Sequence, residues 1–316
     1  MNRIALAAFA LVACSTAPTA ENAATKPSLS SCRLAVIQGS PGQGSGPQTP
    51  GFLTIPGDQF IPAADADGGL FYDRALKRWI PAGPQSLTPD GRHYIYADHV
   101  GSTSTFHVVD LAADADRVVG PPGLWVGAGV DDNALYAMRV EFIESQAYGT
   151  TEKSLGLWKL PLDGSAPVQL TSDSRRWTWA AAGGVYGDIT TGDVAGAPND
   201  IARFDLSTQK FEVLYEPGAR ARLLAVDEKG TAFVLTESGD EQLWRVSGPN
   251  AAIKIWAGTS DGIRPEGPVA VDGSEVWFSS SSMRTTWAIF HYSPRNGLEQ
   301  MATFSDRPVS VAGPCT

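Results

Sequence analysis

Apolar and polar residues alternate along this chain in runs of a few residues, and Asp, Gly and Pro punctuate the gaps. The stretch 86–119 shows the pattern most fully. It has a short apolar start, a turn at Pro89, Asp90 and Gly91, an alternating run over 93–97, a small polar loop, a second apolar run over 106–111, another turn, and a last short run over 117–119. A period of two marks strands with one buried face, and an Asp-Gly turn supplies the backbone twist a hairpin needs. The stretch therefore predicts four short strands in one antiparallel meander.

The pattern recurs every 40 to 50 residues or so, the spacing of repeat architectures. Second strands are predicted over 52–55, 93–97, 134–140, 185–190, 232–236 and 275–279, and turn residues precede each of the last five. Third strands follow over 70–73, 106–111, 155–160, 201–206, 242–246 and 287–292. Fourth strands follow those over 78–81, 117–119, 168–171, 211–215, 253–256 and 300–304. First strands fall over 85–87, 124–127, 177–181, 223–226, 269–271 and finally 309–312. The last of these has no second strand after it, while the first unit begins at its second strand. The expectation is an all-β, six-bladed β-propeller closed by a C-terminal strand, since donating the tail to the head removes a free sheet edge. If 33–37 and the Gly-, Ser- and Pro-rich 38–51 build a sheet of their own, the alternative is seven blades. No run of a dozen residues carries the three-and-four spacing of a helix.

Thr88-Pro89-Asp90-Gly91-Arg92 followed by Tyr94-Ile95-Tyr96-Ala97 resembles the Ser-Pro-Asp-Gly repeat of TolB-type six-bladed propellers, also called WD40-like or PD40 repeats. The segments 106–111 (FHVVDL) and 201–206 (IARFDL) match the Asp-Leu step that follows in that repeat. The resemblance spans about 50–316, although the turns at 131–133 and 183–184 lack the proline.

The chain opens with Met1, Asn2 and Arg3, then an apolar run over 4–13, then Cys14. This is a secretion signal in form and too short to span a bilayer as a helix. Leu11-Val12-Ala13-Cys14 resembles the lipobox of bacterial lipoproteins. That resemblance implies cleavage after residue 13, acylation of Cys14, and a lipid anchor holding the protein in the bacterial cell membrane or envelope on its extracytoplasmic side. Residues 14–31, rich in Ala, Thr, Ser and Pro, read as a lipidated flexible tether, and 32–316 as a single propeller domain. With Cys14 set aside, Cys32 and Cys315 remain near the two ends of the folded region. In an oxidising compartment they are expected to form a disulfide, two free buried thiols being the alternative.

Composition narrows the function. A 316-residue chain with 43% hydrophobic residues can build a sizeable core, and a net charge of -10 argues against nucleic acid as a partner. There is no His-Glu-x-x-His and no Cys-x-x-Cys, so no metal site is expected, and no catalytic triad is expected either. His93, His99, His107 and His291 stand on or beside predicted strands. Asp65 and Asp67 begin a calcium-loop spacing but lack the later acidic ligands. Asp131, Asp132, Glu141 and Glu144 are the carboxylates from which a glycosidase pair would have to come, and the first two read better as a turn. No cofactor is expected.

One pattern points to a ligand. The connections from fourth strands to the next first strands gather at one mouth of a propeller, and here they carry Arg175, Arg176, Arg220, Arg222, Arg264 and Arg307, with Trp125 and Trp177 nearby. Guanidinium forks suit carboxylate or phosphate, so these residues are candidates for an anionic or glycan ligand. The alternative is that Asp173, Glu266 and Asp306 neutralise them. The chain thus reads as a monomeric, membrane-anchored, non-catalytic module that binds an envelope protein, peptide or glycan, or serves as an accessory subunit of an envelope assembly. An extracytoplasmic glycan hydrolase or lyase using the propeller mouth is the alternative.

Overall fold

The fold was determined as a computed structural model, which describes residues 31–40, 48–64, 66, 68–101, 103–145, 149–190, 200–237, 240–259, 262–280, 286–305 and 307–316. Residues 1–13, Cys14 and all of the tether but Ser31 lie outside the described residues, as do Asp65, Asp67 and Asp306.

The hairpin turns form where the sequence predicts them, and acidic side chains build them. The Asp131 carboxylate accepts from the Asn133 and Ala134 amides at 2.8 Å each, and from the Tyr136 hydroxyl at 2.6 Å. Asp227 accepts from the Lys229 and Thr231 amides in the same way, and Asp90 from Thr88 and Arg92. An Asp that satisfies the two amides following it mimics a backbone turn and closes the hairpin without help from elsewhere.

The strands form seven antiparallel sheets. The first contains, in spatial order, Val309–Cys315, Cys32–Gln38, Thr49–Ile55 and Phe60–Pro62. The second has only Phe71–Asp73 and Arg78–Ile80. The third has His93–Val100, Thr103–Asp110 and Ala115–Gly123. The remaining four sheets have four strands each, and the innermost strand of each is the earliest in sequence: Trp125–Val130, Arg175–Ala181, Arg220–Val226 and Pro265–Asp272. The core is divided into layers between consecutive sheets. Ile95, Phe106 and Val119 of the third sheet pack with Trp125, Leu135 and Leu160 of the fourth. Tyr136 and Leu157 of the fourth pack with Trp177 and Val185 of the fifth, and Leu34, Leu53 and Val311 of the first pack with Trp277 and Ile289 of the seventh. Facing sheets that each bury one side must share such a layer. Followed around the molecule, the layers make the arrangement a β-propeller.

The tail joins the head as expected. Val309–Cys315 pairs with Cys32–Gln38 in the register Val36↔Val311 and Gln38↔Val309, and Arg33 and Thr316 exchange backbone bonds of 3.1 and 3.0 Å. Cys32 and Cys315 are disulfide-bonded with Cα atoms 5.6 Å apart.

The first unit differs from the expectation. Residues 33–37, a short strand candidate in the sequence, pair with the tail and take the place predicted for 52–55. Residues 52–55 become part of the next strand out, which turns through Gly57 (φ 126°) and Asp58 (φ 52°) into Phe60–Pro62. The runs 70–73 and 78–81 form the separate two-stranded sheet instead of completing the first, so the described strands fall into seven sheets. The third sheet also lacks its predicted inner strand. Residues 84–86 form a 3₁₀ turn, and only Leu87 bridges to Tyr94. Gly83 and Pro84 account for this, because Pro84 has no amide to donate to a ladder.

Candidate functional site

The connections divide the propeller into two unlike faces. On one face, hereafter the lower, the turns are tight: residues 131–133, 182–183 and 273–274 join inner to second strands. On the upper face the corresponding connections run over 39–48, 191–200 and 281–286, much of their length outside the described residues. The fourth sheet adds an arm to this face. Its two middle strands stay paired from Val140↔Ser154 to Ser145↔Gly149, although the inner neighbour stops at Trp125, opposite Arg139. Long connections displayed together on a rigid scaffold are where binding residues concentrate.

A channel runs between the faces. Its upper chamber has a volume of about 620 Å³ and is walled by inner-strand residues such as Thr178, Trp179, Leu224 and Val269, together with Leu70 and Pro84. Leu70 is 55% exposed there. A lower chamber of about 470 Å³ lies between Arg74, Trp179, Glu228 and Asp272. Arg74 grips Asp272 through two bonds of 2.6 and 2.7 Å beside the closing strand. The upper chamber is the better ligand site, since it is mostly apolar with a few polar groups, the usual make-up of a binding cavity.

The arginines begin the inner strands of successive sheets, as the repeat predicts, and five of the six meet acids. Arg175, only 7% exposed, bonds Asp173 at 2.6 Å and Asp200 at 2.7 and 2.8 Å, and lies 4.5 Å over the Phe211 ring. Arg176 forms a two-pronged pair with the fully buried Asp188, at 2.9 and 2.7 Å. Asp188 also accepts the Leu223 amide of the next sheet. Arg222 bonds Glu266 and faces Glu237 at 3.8 Å, while Arg264 bonds Glu241 and reaches Glu266 at 3.0 Å. Arg220 is the most open, 57% exposed and 3.6 Å from Glu237. Arg307 reaches the Gln38 amide oxygen at 3.4 Å. The first five guanidinium groups thus confront six carboxylates, and the result is a belt of alternating charge binding the fifth, sixth and seventh sheets along the upper rim. Burial pushes the Glu266 carboxyl up, but Arg222 and Arg264 outweigh it and hold it below the usual range. Of the alternative partners, Asp173 and Glu266 are in place. Trp125 and Trp177 face inward. Trp125 is buried with its indole N–H on the Pro121 carbonyl, and Trp177 is fully buried with its own on Asp173.

The histidines have local partners. His99 meets Ser104 directly across the hairpin at 3.0 Å, and His107 meets Asp116 at 2.9 Å while stacking on Tyr96 at 4.8 Å. The Tyr96 hydroxyl donates to Asp116 at 2.6 Å, a bond to the carboxylate that pushes the tyrosine up to about 12. Glu141 pairs with Lys153 at 3.0 Å on the arm. Among the described residues no three His, Cys, Asp or Glu side chains converge as metal ligands would.

Missed from the sequence was the feature that opens the upper chamber on one side: the third sheet stops at His93–Val100. Gly83 and Pro84, just ahead of the predicted 85–87 strand, were the available signal.

The fold and site together define a β-propeller with a channel opening onto a loop-bearing face. TolB from Acinetobacter baumannii has this fold: it superposes with a TM-score of 0.51, at 13% identity, over 89% of this chain and 67% of that one. The β-propeller domain of the trilobed protease from Pyrococcus furiosus (TM-score 0.45, 12% identity, 85% of each chain) and the acylaminoacyl peptidase of Pyrococcus horikoshii (0.48, 12%, 85% of this chain and 43% of that one) also match. At such identities the likeness is one of fold. No protein-family model matches the chain, and no curated protein matches it in sequence.

Proposed function

We propose that this protein is an extracytoplasmic, lipid-anchored propeller that binds an envelope protein or peptide at its upper face and performs no chemistry on it. The observation that carries this reading is a mostly apolar chamber among the inner strands where Leu70 stands half-exposed. A surface of that kind recognises a ligand through a desolvated centre and a polar rim. The arginine belt then serves as a stiff frame for the mouth, and Arg220 is the guanidinium best placed to meet an acidic group of the ligand. The Cys32–Cys315 bond supports an oxidising compartment, and Leu11-Val12-Ala13-Cys14 supports the anchor.

The test is capture from envelope extract with the domain from Ser31 onward as bait. One stoichiometric partner, lost when Leu70 is replaced by Arg, is the expected result. Capture unaffected by Leu70→Arg would remove the upper chamber from the reading, and turnover of a glycan panel would replace binding with catalysis. The anchor is tested by mass spectrometry of the mature N-terminus, where an acylated Cys14 is expected and an unmodified one refutes it.

A further inference from the structure

The third sheet is missing its innermost strand, and the place where that strand would run is part of the upper chamber. The alternation of hydrogen bonds along His93–Val100 shows which groups this leaves open. Arg92 directs its carbonyl outward, to the Leu111 amide, while His93 directs its carbonyl inward, to the Thr88 amide at 2.9 Å. Even-numbered residues of the strand therefore serve the ladder with Thr103–Asp110, and odd-numbered ones face the channel. Leu87 and its neighbours cover the inward edge only opposite Tyr94. Beyond that point, among the described residues, no strand pairs with the inward groups of Ala97 and His99. Ile95, Tyr96, Ala97 and His99 all line the chamber.

Resting on the binding reading above, we propose that a partner protein inserts an extended peptide, basic toward its amino-terminal end, which adds to the inner edge of His93–Val100 as the missing strand of the third sheet. An open edge beside an apolar wall recognises a backbone by ladder bonds and alternate side chains by pockets. Antiparallel addition continues the sense of the Leu87 bridge. It sends one set of side chains toward Gly127, Phe106 and Leu135 of the adjoining layer and the other toward Leu70 and Pro81. Length also selects a single strand: from Ile95 to the hairpin at Gly101 about five residues can pair, spanning roughly 17 Å. A second copy of the propeller cannot bring a whole sheet edge into a channel chamber of about 620 Å³. Charge sets the polarity. An antiparallel peptide begins at the upper rim, where Asp98 is exposed and, among the described residues, has no ion-pair partner, and where Glu144 is exposed on the neighbouring arm. The chain as a whole carries a net charge of -10, which favours a cationic approach.

The probes are C-terminally fluorescein-labelled hexapeptides: RVTVTV, its charge-reversed form EVTVTV, and two forms of RVTVTV N-methylated on alternate amides. Binding to the domain from Ser31 onward is read by anisotropy, and the contact by amide hydrogen exchange. RVTVTV is expected to bind at least tenfold tighter than EVTVTV, one N-methylated set to lose at least tenfold and the other little, and the Ala97 and His99 amides to exchange more slowly when peptide is bound. Ala97→Pro removes an inward amide that serves no ladder, a position where an edge strand tolerates proline. It should retain the wild-type melting midpoint and lose at least tenfold in affinity, while Asp98→Lys should weaken RVTVTV and not EVTVTV. No saturable binding by any peptide, equal binding of the two N-methylated forms, or protection elsewhere than Ala97 and His99 would each overturn strand addition. If Ala97→Pro still captures the envelope partner while Leu70→Arg does not, strand addition fails and the upper-face reading stands. If neither variant changes capture, both fail.

Discussion

Replacing Cys32 and Cys315 by Ser tests the propeller's joint most directly. The bond spans 283 residues, and closing a loop that long lowers the entropy of the unfolded chain by an amount worth about 5–6 kcal/mol at 25 °C in the chain-entropy treatment. Delivered values fall below that ceiling because unfolded chains retain structure, so a loss of about 3–5 kcal/mol is expected. The folded state has other means of holding the tail: the ladder of Val309–Cys315 on Cys32–Gln38, the Arg33–Thr316 bonds, and the packing of Val309 and Val311 against Trp277 and Ile289. The variant should therefore fold, with its loss located in the unfolded ensemble. For a folded region of this size the unfolding entropy is near 0.6 kcal/mol/K, so the melting midpoint should drop by about 5–8 °C. Calorimetry of wild type, variant and dithiothreitol-treated wild type measures this, and urea titration should show a steeper slope for the variant, whose unfolded chain exposes more surface. A drop under 2 °C, or a wild type indifferent to reductant, would refute the reasoning and leave the strand ladder as the whole of the joint.

Glu266→Gln leaves Arg222 and Arg264 facing a neutral group inside the belt, and should cost about 3 kcal/mol at pH 7 by urea titration. Because Glu266 ionises below its ordinary range when folded, its contribution is complete above the unfolded carboxyl range and disappears as pH falls through and below it. Wild type and Glu266→Gln should accordingly converge toward pH 3, and a gap unchanged between pH 7 and pH 3 would show that charge is not its source. Gly156→Ala should lose at least about 2 kcal/mol or fail to fold, since Gly156 has φ 100° and a Cβ would stand 2.0 Å from the Thr171 carbonyl oxygen. Gly164→Ala, with φ 84° and nothing within 4 Å, should lose about 1 kcal/mol, and equal losses would count against the clash. Arg220→Ala should shift stability by under about 1 kcal/mol, because its pairing is long and exposed. A fall in affinity for an acidic partner beyond that change in the folded protein assigns Arg220 to binding, and unchanged affinity removes it.

The later sheets were legible because each supplies its own signals in order: an Asp or Gly turn, an alternating run, another turn. The tail's pairing with the head was legible too, but the head's own strands were not, because the short run at 33–37 is followed by residues composed like a loop. Period-two alternation marks a strand without saying which neighbour it pairs with, so 52–55 and 70–73 were placed in one unit when they belong to two. The arginines show the same limit. Their position follows from the repeat, and Asp173 and Glu266 lie close enough in sequence to be named as partners. Asp188, Glu237 and Glu241 reach the belt from second and third strands, and only the packing of sheet against sheet brings them there.

The union of Cys32–Gln38 with Val309–Cys315 also sets a timetable. The earliest described strand leaves the ribosome almost a whole chain ahead of its partner, so the propeller cannot shut during synthesis, whatever its middle sheets have done. Contacts this distant in sequence are slow to find each other, and until they do the chain carries an open edge that invites wrong pairing. A polypeptide of this kind keeps that edge open until Val309–Cys315 arrives.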